Sequence, residues 1–189
     1  DKDKLYVNRM AGERLAGDAP DHLVVTWRLD PKQVQNDLRP NIPAPLAPHF
    51  TRLHVLGEEG ARVLRGSLNC TQFNYQIPMA FVQRRSPGED DADAKPDIES
   101  AFAAVIEPFV GEPVIKEISL APVAGNEADA RRAVALHVET VNGHRDLCFA
   151  YGRPDRTRKI GEATVSGEFA YLSTDAHGLR QATLVGGTQ

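Results

Sequence analysis

SAFAAVIEPFVGEPVIKEI, residues 100–118, is the stretch that decides the fold class of this chain. Its first half carries apolar residues on both faces of an extended strand, and the Glu107-Pro108 pair is expected to end that strand. A short turn containing Gly111 then leads into a second strand. The same pattern of short strands and turn residues recurs along the chain. The sequence therefore predicts an all-β protein.

Period-2 alternation predicts strands on both sides of this stretch. They cover residues 5–10, 22–29, 50–56, 62–67, 77–84, 163–172 and 179–185, and residues 11–21 are expected to form turns. Three hairpins are expected: 50–56 with 62–67 across GEEGA, the halves of 132–151 across a type I′ turn at Asn142-Gly143, and 163–172 with 179–185. Eleven or twelve short strands predict an antiparallel two-sheet β-sandwich, with no helix beyond a turn or two.

Loop and domain boundaries follow from composition. Prolines 40, 43, 45 and 48 forbid a helix or a central strand in residues 30–48, so this segment is predicted to be a Pro-rich loop. Residues 86–97 are acidic, carry no large apolar side chain and are predicted to form a flexible loop. The remaining pattern is consistent with a single domain over residues 1–189. We interpret the two chain ends, DKDK and VGGTQ, as cuts within a longer polypeptide.

Charge and composition narrow the class of partner. The formal net charge is −4, which disfavours nonspecific nucleic-acid binding. No apolar run approaches the roughly 20 residues of a membrane helix. We therefore expect neither a nucleic-acid nor a membrane partner. Cys70 and Cys148 both have apolar neighbours and are expected to be buried thiols, although sequence alone leaves a disulfide between them open.

Standard catalytic and cofactor motifs are missing from the sequence, including GxGxxG, the P-loop, GxSxG, HExxH and CxxC. His49 and His54 are the only close histidine pair, and their spacing of five places them on opposite faces of a strand. That spacing is poor for zinc. We therefore assign no catalytic residue, no metal ligand and no cofactor from the residue patterns.

A glycan site needs flat aromatic rings and forked polar groups, and a few residues could supply them. Trp27 and Arg28 share one predicted strand, and Arg52, His54 and Tyr75 are candidates to accompany them. The competing interpretation of Trp27 is a core residue, because it follows Val25 on the same face.

Five segments, in order, resemble the C-terminal β-sheet region of heparinase II/III-like polysaccharide lyases. LVVTWRL resembles the family's "v-T-W-r" strand, RLHVLGEEG the strand after it, and MAFVQRRS a strand ending in paired basic residues. SAFAAVIEPFVGEPVI resembles the family's "E-P-y-x-g-x-P" segment, with Phe109 where the family often has Tyr. The tail, SGEFAYLSTDAHGLRQATLVGGT, resembles the closing hairpins. The Pro-rich loop at residues 30–48 looks like an insertion.

The resemblance implies a role in a larger enzyme. Family members join an N-terminal helical toroid to β-sheets and cleave uronate-containing polysaccharides by β-elimination, with the catalytic groups upstream of the matching region. It therefore implies a non-catalytic β-sandwich that supports the catalytic region, contacts acidic polysaccharide such as a glycosaminoglycan, adjoins an upstream toroid and is periplasmic or extracellular. Two alternatives are a free-standing carbohydrate-binding or adhesion module and a segment that supplies a secondary catalytic residue, His54 or Tyr75. Whether the parent protein is an active enzyme stays open.

Overall fold

A computed structural model describes residues 10–18, 22–29, 48–56, 61–70, 75–84, 101–126 and 132–187. These residues contain thirteen β-strands and no helix, which confirms the all-β prediction. The strands are β1 Met10–Asp18, β2 His22–Leu29, β3 His49–Leu56, β4 Ala61–Cys70, β5 Tyr75–Arg84, β6 Ala103–Val110, β7 Ile115–Leu120, β8 Val134–Thr140, β9 Arg145–Ala150, β10 Thr157–Ile160, β11 Ala163–Ser166, β12 Phe169–Asp175 and β13 Gly178–Val185.

The described strands form four sheets, so the predicted two-sheet sandwich is not confirmed. The chain divides into two compact units, Asp1–Pro108 and Phe109–Gln189. The first unit holds the sheets β1-β4-β5 and β2-β3-β6, and the second holds the sheet β13-β12-β9-β8-β7 and the hairpin β10-β11. Strand β6 ends just beyond the boundary between the units.

Two predictions in the first unit are wrong. Residues 11–18 are not a turn region, because they belong to β1, which pairs with β4. The pairing is irregular between Ala11 and Leu15, where the register shifts. Strands β3 and β4 are not a hairpin, because β4 pairs with β1 and β5 while β3 lies between β2 and β6. The predicted strand over residues 5–9, the 30–48 loop up to residue 47 and the acidic 86–97 loop lie outside the described residues.

The stretch over residues 100–118 also differs from expectation, at Pro108. Strand β6 continues through Glu107 and Pro108 to Val110, so the Glu-Pro pair does not end it. Proline is tolerated there because β6 is an edge strand of its sheet, where a missing N–H need not break a ladder. Burial is one-sided: Ala103, Glu107 and Phe109 are buried, whereas Ile106 is 68% exposed.

In the second unit, the core lies where the five-stranded sheet meets the β10–β11 hairpin. Phe149 on β9 is 1% exposed and belongs to one cluster with Ile160 of β10, Val165 of β11 and Ala170 of β12. Tyr151 joins the same cluster, and its hydroxyl accepts a hydrogen bond from the buried Arg158 at 2.5 Å. The hairpin thus contributes apolar side chains to the core, and its polar residue Arg158 donates from its two terminal nitrogens to the Gly125 carbonyl oxygen and the Tyr151 hydroxyl.

The predicted β8–β9 hairpin is confirmed, but its turn is different. Gly143 N–H donates to Thr140 O at 3.0 Å, and Thr140 N–H donates to His144 O at 3.0 Å. This pattern places Asn142 and Gly143 at the third and fourth turn positions instead of the two central ones, so the loop is not the predicted type I′ turn. Gly143 has φ +79°, a conformation that suits glycine at the end of a three-residue hairpin loop.

The last predicted hairpin is confirmed in part. Strands β12 and β13 pair across the turn at Asp175 and Gly178. The predicted strand 163–172, however, is divided at Gly167-Glu168: β11 pairs with β10, while β12 pairs with β9 and β13. Gly167 is required at this crossing, since a Cβ there would lie 3.0 Å from the Val185 carbonyl oxygen.

Candidate functional site

One face of the β2-β3-β6 sheet carries a group of polar and charged side chains. The antiparallel register pairs Val24 with His54 and Thr26 with Arg52. Because side chains alternate along a strand, His22, Thr26 and Arg28 of β2 share a face with Arg52 and His54 of β3. The sequence pattern of alternating residues in 22–29 fixes this arrangement once the register is set.

Glu107 of β6 completes the group on this face. Its side chain is 4% exposed, and its Oε2 lies 3.2 Å from Nε2 of His54. The guanidinium of Arg52 lies 3.7 Å from the same carboxylate oxygen. Burying a carboxylate is costly unless donors and positive charge compensate, and the two β3 side chains supply both.

His22 extends the group toward solvent. Its Nε2 lies 3.1 Å from Nδ1 of His54, and the two rings stack with centroids 5.3 Å apart. The result is a hydrogen-bonded chain that runs from the buried Glu107, through the buried His54, to the exposed His22. We call these three residues the Glu-His-His chain.

Arg52 and Thr26 lie beside the Glu-His-His chain. Arg52 Nε donates a hydrogen bond to Thr26 Oγ1 at 3.1 Å, while its Nη1 lies near Glu107. This pair of contacts holds the guanidinium against the sheet, with the Arg52 side chain 23% exposed. Arg52 thus brings a positive charge close to the buried carboxylate of Glu107.

The pKa of His22 is lowered from its ordinary value, first by partial burial of its ring and second by the electrostatic effect of the neighbouring His54. Burial disfavours the charged imidazolium, and a neighbouring imidazolium would repel it. His22 is therefore a neutral ring at neutral pH, able to donate through one nitrogen and accept through the other.

The chemistry of this group is that of a hydrogen-bonded relay instead of a metal site. Both ring nitrogens of His54 have partners, Glu107 on one side and His22 on the other. A metal ligand needs an unshared nitrogen lone pair directed at a common centre. Among the described residues no group of three His, Cys, Asp or Glu side chains could hold a metal ion.

The structure brings together only part of the predicted glycan set. Arg28, Arg52 and His54 lie on one face of the β2–β3 pair, whereas Trp27 pairs with Thr51 and projects from the opposite face. Tyr75 begins β5, in the other sheet of the first unit, and its side chain lies outside the described residues. His49 lies on β3 five positions before His54, hence on the opposite face.

Sequence reasoning missed His22, Thr26 and Glu107. The alternation in residues 22–29 placed His22, Thr26 and Arg28 on one face, so the β2 members could have been found by extending the argument from Arg28. Glu107 had a weaker signal: a carboxylate inside an otherwise apolar strand implies a buried polar partner. Its partner, His54, lies 53 residues away in sequence.

Cys148 is a free, half-buried thiol on β9. Burial raises its pKa, and the nearby Asp146 carboxylate raises it further. A protonated thiol is a poor nucleophile, so Cys148 is not a candidate active-site residue. The side chain of Cys70 lies outside the described residues.

Comparison with known proteins gives no match: no family model, no curated protein and no solved structure is similar to this chain. In the described part of the chain, no helix is long and apolar enough to cross a membrane.

Proposed function

We propose that this chain is an accessory β-sheet region of a heparinase II/III-like polysaccharide lyase, and that the β2-β3-β6 face contacts acidic polysaccharide. The five segments that resemble the family, in the family's order, support the first part of the proposal. The observation that carries the second part is the pairing of β2 with β3, which brings Arg28 and Arg52 to one face.

Arg28 and Arg52 are suited to an anionic ligand. Arg28 is exposed and lies diagonally across the ladder from Arg52, a separation of roughly 7–8 Å between Cα atoms in antiparallel pairs. Guanidinium groups bind carboxylates and sulfates with two parallel hydrogen bonds. The exposed Thr26, between them on the same face, offers a hydroxyl for neutral sugar groups.

Binding of a polyanion would depend on the positive charge of this face, because the chain as a whole is anionic. A net charge of −4 gives no general attraction for a polyanion. Binding of an acidic polysaccharide would therefore be local to this face and would weaken with salt. The upstream toroid and the periplasmic or extracellular location remain part of this proposal.

Affinity electrophoresis of the full 189-residue chain tests the proposal directly. The gels contain heparin, chondroitin sulfate, alginate or a neutral glucan. We expect retardation by one acidic polysaccharide and none by the neutral glucan. Arg28→Gln is expected to abolish most of the retardation. Arg62→Gln, an exposed arginine on β4 in another sheet, is the matched control and should behave as the unmodified chain.

The result that contradicts the proposed contact is equal mobility of the chain in all four gels. Equal loss in the Arg28→Gln and Arg62→Gln variants would show that binding follows net charge and not this face. The structure gives less support to the alternative of a free-standing carbohydrate-binding module. Such a module needs aromatic and charged groups together, whereas Trp27 and Arg28 project from opposite faces.

A further inference from the structure

We propose that His22 is a proton acceptor at the surface, a general base whose Nδ1 atom removes a proton from a water or hydroxyl group while His54 and Glu107 hold it in the reactive tautomer. The proposal goes beyond polysaccharide contact and does not depend on it. His22 would be the catalytic residue, and the other two would be positioning residues.

Each hydrogen bond in the Glu-His-His chain fixes the next one. An ionised carboxylate only accepts, so the hydrogen between Glu107 and His54 belongs to Nε2 of His54. With this single proton, His54 has a bare Nδ1, which accepts from Nε2–H of His22. Neutral His22 is left with a lone pair on Nδ1. These tautomers are assigned from the hydrogen-bond pattern.

The reactive nitrogen belongs to the one exposed residue of the three. His22 is exposed, whereas His54 and Glu107 are buried. Within the described part of the chain, no side chain or backbone group bonds Nδ1 of His22. Burial of the ring lowers the pKa of His22, which keeps Nδ1 unprotonated at neutral pH. An accepting nitrogen on an exposed ring, which a buried carboxylate orients through His54, is suited to general-base catalysis.

The proton transfer balances within these residues. An O–H proton moves to the lone pair of His22 Nδ1, and the oxygen keeps the electron pair of the broken bond. The proton on Nε2 of His22 then moves along the 3.1 Å hydrogen bond to Nδ1 of His54. The resulting imidazolium of His54 lies against the Glu107 carboxylate, whose charge stabilises it. The guanidinium of Arg52 also lies 3.7 Å from that carboxylate.

The reactant that suits this site is a neutral O–H donor. Water or a sugar hydroxyl presents a hydrogen to a bare nitrogen and needs no counter-charge on approach. A cationic donor would meet Arg28 and Arg52 on the same face. The site therefore takes a hydroxyl or an activated water, and not an ammonium group.

The first measurement determines the tautomers of the histidine rings. Long-range ¹⁵N–¹H spectra of the uniformly ¹⁵N-labelled full chain at pH 7.5, with His22→Asn for assignment, report which nitrogen carries each proton. We expect His22 as the Nε2–H form with a bare Nδ1. The Nδ1–H form of His22 would overturn the proposal, whatever any variant does. This readout would not follow from a merely structural role.

The second measurement is the rate at which diethyl pyrocarbonate modifies His22. Diethyl pyrocarbonate transfers an ethoxycarbonyl group to a neutral imidazole nitrogen and releases ethyl carbonate, and mass spectrometry reports each histidine separately. The exposed His137 on β8 is the internal reference. Glu107→Gln should slow modification of His22 on the order of three- to ten-fold, because the imidazolium loses its compensating charge. The reaction at His137 should be unchanged.

Glu139→Gln is the matched control, since Glu139 pairs with Lys116 on the second unit's sheet. It should leave the His22 rate unchanged. A His22 rate that is equal in folded Glu107→Gln and in the unmodified chain would overturn the relay. If Glu107→Gln does not fold, the tautomer spectrum of the unmodified chain still decides. Neither measurement uses a polysaccharide, so their outcome is independent of the electrophoresis result.

Discussion

Replacing His54 by phenylalanine should destabilise the first unit through the buried Glu107 carboxylate. Phenylalanine keeps a flat ring of similar size, so the main loss is the 3.2 Å hydrogen bond from Nε2 to Glu107. Hydrogen bonds to charged groups contribute about 1.5–3 kcal/mol, and a buried charge that loses a partner adds to that cost. We expect a loss of about 2–3 kcal/mol in the free energy of unfolding.

Urea denaturation followed by tryptophan fluorescence measures this loss of stability in the β2-β3-β6 sheet. Trp27 is the chain's single tryptophan and lies on β2, paired with Thr51 of β3, so its emission reports on the β2-β3-β6 sheet. With a urea slope of about 1–3 kcal/mol/M, the midpoint should fall by roughly 1 M. Val24→Thr is the control on the same face: Val24 is 46% exposed, and surface changes usually stay within about 0.5 kcal/mol.

A double variant separates the carboxylate from simple packing. His54→Phe combined with Glu107→Leu removes both partners, and replacing both by apolar groups is often nearly neutral. Arg52, with 23% of its side chain exposed, can then turn its charge to solvent. The double variant should be more stable than His54→Phe alone. Strict addition of the two single losses, or a His54→Phe midpoint equal to that of Val24→Thr, would refute the reasoning.

Three further outcomes are expected. The pKa of His22 in the folded state lies below its unfolded value near 6.5, so the unfolded state binds the proton more tightly. The free energy of unfolding should therefore fall as the pH drops below about 6.5. His22→Asn should reduce this pH dependence, measured by urea titrations followed through Trp27 fluorescence at pH 7.5 and 5.5. Phe149→Ala should cost the second unit about 3–5 kcal/mol, measured by calorimetry, and an unfolding profile identical to that of the unmodified chain would contradict the assigned core. Cys148 should react with a maleimide at pH 7.5 many times more slowly than glutathione, whereas equal rates would contradict its raised pKa.

Local patterning predicted individual strands well. The His22–Leu29 strand was predicted with its observed bounds, and alternation assigned β3, β5 and the β8–β9 hairpin within a few residues. These segments are rich in β-branched and aromatic residues, whose pleated preference is a property of the residues themselves. Met10–Asp18 was missed because its two glycines and Asp18 favour turns, and pairing with β4 overrides that preference.

Strand pairing was less predictable than strand position. Residues 57–60 are too short to suggest anything but a hairpin, yet β3 and β4 belong to different sheets. At Gly143 the two-residue turn and the three-residue loop share the same Asn-Gly signal, and only the ladder register distinguishes them. In both places a short sequence is compatible with two geometries, and contacts far along the chain select one.

The candidate site shows the same division. By itself the sequence determined that the chain forms short strands, that His22, Thr26 and Arg28 share one strand face, and that His54 was worth attention. Only tertiary structure decided that His54 stands between His22, 32 residues away, and Glu107, 53 residues away. Side-chain direction follows from backbone alternation within a strand, whereas the choice of neighbouring strand depends on burial summed over the whole sheet.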